Sequence, residues 1–105
     1  MLIEHIGIAV KDLEASNLLF GKLFGKPHYK TESVESEHVD TSFFKLGDSK
    51  IELLHATSPD SAIAKFIEKK GEGMHHIAFG VEDIEKEVER LKVEGFVPIS
   101  DKPKK

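Results

Sequence analysis

The 105-residue chain has no cysteine. It therefore forms no disulfide and no thiolate metal site, and any bound metal would rest on imidazole, carboxylate and carbonyl ligands. It also lacks an excess of positive charge. With 15 Lys+Arg against 19 Asp+Glu, the net charge is −4, which leaves no electrostatic footprint for nucleic acid. No apolar run approaches the ~18–20 residues of a membrane span, and Met1-Leu2-Ile3-Glu4-His5 has none of the basic-then-apolar character of a secretory signal. These absences point to a cytoplasmic protein with neither nucleic acid nor membrane as a partner.

What is present suits one small globular domain: 39% hydrophobic and 32% charged residues. A chain of this length buries only about 60–68% of its unfolded surface, so a second subunit would add to a modest core. Apolar runs and breakers order the elements. Leu2 to Val10 reads as a buried strand, and Asp12 caps a helix whose apolar positions are Leu13, Leu18, Leu19 and Leu23, stopped by Gly25 and Pro27. His28 to Val34 and Val39 to Leu46 read as strands, and Gly47-Asp48 turns into a strand from Lys50 to His55. Ser58-Pro59-Asp60 opens a helix to about Lys69 with Pro59 near its first position and Ile63, Phe66 and Ile67 as its stripe. Beyond Gly71 and Gly73 follow a strand from Met74 to Val81, a helix from Asp83 to Val93 stopped by Gly95, and a short strand from Phe96 to Ile99.

A repeat runs through this order. His5-Ile6-Gly7-Ile8-Ala9-Val10-Lys11-Asp12-Leu13-Glu14 returns as His76-Ile77-Ala78-Phe79-Gly80-Val81-Glu82-Asp83-Ile84-Glu85, with five of the ten positions identical. The copies are unequal: after Gly25 the first continues through further strands to Leu54, whereas only ten residues follow Gly95. The second copy is thus expected to be abbreviated, or to lack a C-terminal piece.

Side chains alternate across a strand. Each repeated strand therefore sets a histidine and two tiny residues on one face: His5, Gly7 and Ala9 in the first, His76, Ala78 and Gly80 in the second. The opposite faces carry bulky apolar residues that call for helices. Two imidazoles at matched positions, each beside open space, favour ligation over the satisfied core histidine that a single copy would suggest. Glu52 interrupts the apolar Ile51-Glu52-Leu53-Leu54, where an unpaired carboxylate costs several kcal/mol. A metal or a solvent-facing edge would each account for it. A His/Glu/His set of His5, Glu52 and His76 fits a borderline divalent ion such as Co, Mn, Ni or Zn and leaves positions open for a substrate. Alternation turns His75 away from His76, into a packing or supporting role. His28, His38 and His55 read as surface residues. Glu82, Asp83, Glu85, Glu87 and Glu89 read as a capped helix start with a solvated face. Lys65, Lys69 and Lys70 read the same way, although a basic helix end near a pocket also suits a phosphate.

The segments His5 to Val10, Gly47 to Leu54, Ser58 to Phe66 and Gly71-Glu72-Gly73-Met74-His75-His76-Ile77-Ala78-Phe79 together resemble methylmalonyl-CoA epimerases, members of the glyoxalase-like vicinal-oxygen-chelate superfamily. The resemblance implies an α+β fold of paired βαβββ modules around a curved mixed sheet: a first module over residues 1–56, a linker with a helix over 57–73, and an incomplete second module over 74–105. It implies a divalent ion, cobalt before Mn, Ni or Zn, on His5, Glu52 and His76, an acyl-CoA substrate and a homodimer. The family's fourth ligand, a glutamate on the last strand of the second module, has no counterpart before Lys105. A further acid/base carboxylate belongs on the strand holding Asp40, the candidate there. The implied reaction removes the α-proton between a thioester and a carboxylate and returns it to the opposite face through a metal-stabilised enolate. A lactoylglutathione-lyase type of enzyme on the same scaffold, or a non-catalytic small-molecule-binding protein, are the competing expectations.

Overall fold

A computed structural model of the chain describes residues 1–97. Nine short segments of regular structure follow one another: strand β1 (Leu2–Ala9), helix α1 (Leu13–Phe24), strand β2 (Lys30–Val34), a 3-10 turn (Glu35–Glu37), strands β3 (Val39–Leu46) and β4 (Ser49–Ala56), helix α2 (Ala62–Lys70), strand β5 (Gly73–Gly80) and helix α3 (Ile84–Val93). The strands form one open mixed sheet in the order β2-β3-β4-β1-β5. The fold is the glyoxalase-like α+β arrangement expected from the sequence. β1 lies parallel to β4, and the other neighbours are antiparallel.

Local chemistry explains the helix ends. Asp12 accepts the Ala15 N–H at 3.0 Å and Asp83 accepts the Lys86 N–H at 3.1 Å, so each repeat starts its helix with the same aspartate cap. Gly25 closes α1 in the left-handed region, at φ 78°, where a side chain would be strained. Helix α2 begins later than expected. Ser58, Pro59 and Asp60 form a turn in which the Ser61 N–H donates to Ser58 O, and the buried Ser61 is the true cap, accepting the Ala64 N–H at 3.0 Å. A serine with two free backbone donors beyond it outcompetes the proline signal upstream.

The core has two parts, one on each face of the sheet. On one face, Val10, Phe44, Ile51 and Leu53 pack with Ile6, Ile8, Leu13, Phe20 and Phe24, so α1 covers β1, β4 and β3. Phe44 and Leu53 are fully buried, each worth about 1.5–3 kcal/mol of transfer free energy. On the other face, Ala9, Val39, Leu54 and Ile63 pack with Ala56, Phe66 and Ile67, so α2 covers one end only. Among the described residues the middle of that face is part-buried, as at His5 and Glu52.

The inner stripe of α1 differs from the expected one. Leu13, Phe20 and Phe24 point inward, whereas Leu18, Leu19 and Leu23 are exposed. The Phe24 ring meets Phe44 edge-on and the Phe20 ring packs against it at a tilt, and their larger apolar area takes the buried side. On β5 the bulky face is not covered among the described residues: Ile77 and Phe79 are exposed. β2 begins at Lys30, two residues later than expected. Phe96 and Val97 adopt no regular structure, and Pro98 and Ile99 of the expected last strand lie outside the described residues.

The pairing of the two repeated strands respects the repeat. His5 lies opposite Ala78, Gly7 opposite His76, and Ile6 opposite Ile77, its own counterpart in the second copy. The register slips twice, and each slip skips one residue: Glu4 on β1, between Ile3 and His5, and His75 on β5, between His76 and Met74. These are β-bulges, and they too occupy equivalent positions of the two copies.

Candidate metal centre

Three neighbouring strands bring the candidate ligands together. Gly7 lies opposite Glu52 on its parallel side and opposite His76 on its antiparallel side, so the carboxylate and the imidazole flank a residue with no side chain. The His76 ring fills that gap. A Cβ built on Gly7 would lie 2.3 Å from His76 Cε1, closer than non-bonded atoms approach. His5, two residues back on the same face, meets both partners: its Nε2 is 3.0 Å from His76 Nε2, and its Nδ1 is 3.5 Å from Glu52 Oε2. The two rings stand edge to face.

The two imidazoles present a spacing that suits a divalent ion, whereas Glu52 lies on the Nδ1 side of His5, away from that pair, and His76 is not among the three residues whose ligand atoms all lie within 4.8 Å of one another. Two nitrogens each about 2.1 Å from one ion, and at right angles about it, lie about 3.0 Å apart, which is the Nε2 separation observed. The donors, imidazole and carboxylate without thiolate, suit the borderline divalent metals. Electrostatics agree. Burial, with the neighbouring His5 and His75, pushes His76 below the usual histidine range and keeps it in the neutral form that ligates. Burial raises the Glu52 carboxyl above the ordinary carboxylate range against the attraction of His5.

Glu4 is a fourth ionisable group in the cluster, and sequence reasoning passed over it. Ligand atoms of Glu4, His5 and Glu52 all lie within 4.8 Å of one another. Glu4 Oε1 is 2.5 Å from His5 Nδ1, and Glu4 Oε2 is 3.1 Å from Lys50 Nζ. Hydrogen bonding from both holds its carboxyl below the usual range. The available signal was the one that exposed Glu52, a carboxylate inside an apolar strand. Strict alternation hid it by assigning Glu4 to the face opposite His5. The bulge cancels that alternation, and a Cβ on Gly80, which shares the His76 face, would sit 3.9 Å from Glu4 Cβ.

His75 is likewise not turned away from His76. Its Nδ1 is 2.9 Å from His76 Nδ1, and its ring packs edge-on against Phe66 of α2. Asp40 stands apart from the cluster. Phe43 pairs with Glu52 and so shares its face, which puts Asp40, three residues earlier, on the opposite face; there it accepts a hydrogen bond from Ser33 Oγ at 2.5 Å. The remaining histidines keep to the periphery. His38 is exposed, His55 is half-buried, and His28 meets the Phe44 ring edge-on. A groove beside His75 is lined by Phe66, Lys65, Lys69 and Lys70. Among the described residues no helix is long and apolar enough to cross a membrane.

The chain belongs to the glyoxalase/bleomycin resistance protein/dioxygenase superfamily, whose pattern matches residues 4–105. It is 39% identical over 77 residues to the uncharacterised protein YqjC of Bacillus subtilis, an overlap of 73% of this chain and 55% of that one. It is 38% identical to the ethylmalonyl-CoA/methylmalonyl-CoA epimerase of Cereibacter sphaeroides over 94 residues, 89% of this chain and 70% of that protein. Among solved structures, a Streptomyces coelicolor methylmalonyl-CoA epimerase variant in complex with 2-nitronate-propionyl-CoA superposes with a TM-score of 0.83 at 34% identity, covering 99% of this chain and 76% of that one. The chain spans little more than half the length of most curated relatives it matches.

Proposed function

We propose that the protein is an epimerase of methylmalonyl-CoA or a closely related 2-substituted malonyl thioester, working with a divalent ion held by His5, Glu52 and His76. The observation that carries this reading is the facing pair of Nε2 atoms, 3.0 Å apart, with a part-buried Glu52 on the Nδ1 side of His5, in a chain similar to epimerases that act on this substrate class.

When bound, the ion supplies a Lewis acid for the negative charge that develops as the α-proton leaves. The chain's own residues supply the setting. His5 and His76 offer imidazole nitrogens, and Glu52 offers a carboxylate that, when ionised, offsets one of the two positive charges. Gly7 gives its space to the His76 ring, and Ala78, opposite His5, adds no more than a methyl to this face. Ala9, Val39, Leu54 and Ile63 close one end of that face with apolar surface and keep water from it. Lys65, Lys69 and Lys70 line the groove beyond His75, where their ammonium groups suit the phosphates of a CoA carrier. β3 contributes no carboxylate to this face, since Asp40, its single one, points to the other side.

Cobalt-loaded protein mixed with one epimer of methylmalonyl-CoA in deuterated water tests the reading. The expected outcome is interconversion of the epimers with deuterium at the α-carbon, and a loss of at least about 100-fold in rate for His5→Ala, as for removal of a metal that stabilises transition-state charge. Activity confined to a glutathione thiohemiacetal would instead identify a lyase.

A further inference from the structure

We propose that the two β-bulges are orienting devices. Glu4 and His75, the residues they skip, hold the imidazoles of His5 and His76 by Nδ1 so that both Nε2 atoms face one cation. The proposal rests on the metal-binding reading above and assigns a positioning role to two residues outside the ligand set.

The geometry is the same in both copies. In an unbroken strand the residue before a histidine points to the opposite face. Here each strand slips by one residue at that point, which brings the preceding side chain round to the imidazole's own side. Glu4 Oε1 then sits 2.5 Å from His5 Nδ1, and His75 Nδ1 sits 2.9 Å from His76 Nδ1. Each partner is itself anchored, Glu4 by Lys50 Nζ at 3.1 Å and His75 by the edge-on Phe66 ring. With both Nδ1 atoms engaged, the nitrogens left for a cation are the two Nε2 atoms, which lie within hydrogen-bond distance of each other at 3.0 Å. A ligating histidine whose other nitrogen donates to a fixed acceptor keeps one tautomer and one ring orientation, and loss of that acceptor typically lowers metal affinity about 10–100-fold.

The roles are distinguishable. Glu4 accepts the Nδ1–H of His5 as an anion, which makes His5 the stronger donor to a cation. His75 accepts the Nδ1–H of His76 as a neutral ring. Removing Glu4 is therefore expected to cost more affinity than removing His75.

The test uses the whole chain labelled with nitrogen-15 in its histidine rings. NMR shifts of the ring nitrogens in zinc-loaded protein report which nitrogen of each ring keeps its proton, and competition with a chelator reports cobalt affinity. In the unaltered protein His5 and His76 are expected as Nδ1–H tautomers. Glu4→Leu and His75→Phe are expected to mix the tautomers of the adjacent histidine and to weaken cobalt binding about 10–100-fold, with circular dichroism unchanged. Glu4→Gln, which keeps a neutral acceptor, is expected to restore the tautomer and part of the affinity. Nε2–H tautomers in the unaltered protein would overturn the proposal, as would variants that bind cobalt within twofold of it. If a variant fails to fold, the tautomers of the unaltered protein still decide the matter. Failure of the unaltered protein to bind cobalt would overturn the metal reading itself, an outcome separate from the other two.

Discussion

Gly7 shows how much a single missing side chain can carry. Its hydrogen lets the His76 ring lie across β1, and any Cβ there would overlap the imidazole. Gly7→Ala is therefore expected to displace His76 and weaken cobalt binding by at least about tenfold, a scale set by losses from disturbing a ligand's supports, while the Phe44 and Leu53 side of the core stays intact. Chelator competition and a melting curve would check both halves. Retained affinity would mean that the ring has another place to go.

His76 itself makes the metal-free protein sensitive to pH. Its pKa in the folded state lies below the ordinary 6.5 because burial and two neighbouring histidines disfavour the cation. As pH falls through 6.5, the unfolded chain takes up the proton first, so the folded state loses stability from that point down to the lowered pKa. Glu52 acts in the opposite sense at lower pH. Its raised pKa means that folding is favoured while it is protonated, and this contribution is lost as pH rises above 4.5. Urea midpoints of metal-free protein between pH 5 and 7.5 should fall more steeply toward acid in the unaltered chain than in His76→Gln. Equal slopes would remove His76 as the cause.

At the scale of elements, most of the order was legible in the sequence, because its signals are local. Aspartate caps at Asp12 and Asp83, glycine after α1, and the apolar runs of β1 and β4 each act within a few residues. The failures came where a tertiary choice decided. Three leucines (Leu18, Leu19 and Leu23) and two phenylalanines compete for the inside of α1, and only the presence of Phe44 across the interface settles it for Phe20 and Phe24. Alternation placed His5, Gly7 and His76 correctly on one face, but it misassigned Glu4 and His75, since nothing local announces a bulge in a strand. Asp40 was chosen as the carboxylate on its strand, and the register of β3 against β4 puts it on the far face. The packing of α1 gives a direct prediction. Phe44→Ala leaves a void against both phenylalanines and is expected to cost about 3–5 kcal/mol of stability, whereas Leu19→Ala, on the exposed side, should cost under about 0.5 kcal/mol. Denaturant titrations of the two variants would compare them.

For the molecule as a whole, the sheet ends at β5 with no further neighbour among the described residues. Its outer side offers unpaired backbone groups together with exposed Met74, Ile77 and Phe79. Such an edge invites another strand, and a second copy of this chain carries the same edge and the same apolar residues. Sedimentation is expected to show concentration-dependent self-association, reduced by Phe79→Lys and unaffected by Lys92→Glu on α3. A monomer at every concentration would leave the dimer without support.

The opposition of Ile6 and Ile77 has one more consequence. Equivalent residues of the two copies meet there, so a local dyad pierces the sheet between them, carrying His5 onto His76 and one bulge onto the other. An ion lying on that axis would see two imidazoles related by rotation, as at the interface of a symmetric dimer folded into one polypeptide. The symmetry stops at Glu4 and His75, an anion on one side and a neutral ring on the other. That single inequality gives the centre a polarity: two oxygens of a chelating substrate would bind opposite unlike imidazoles, and exchanging them would no longer leave the complex unchanged.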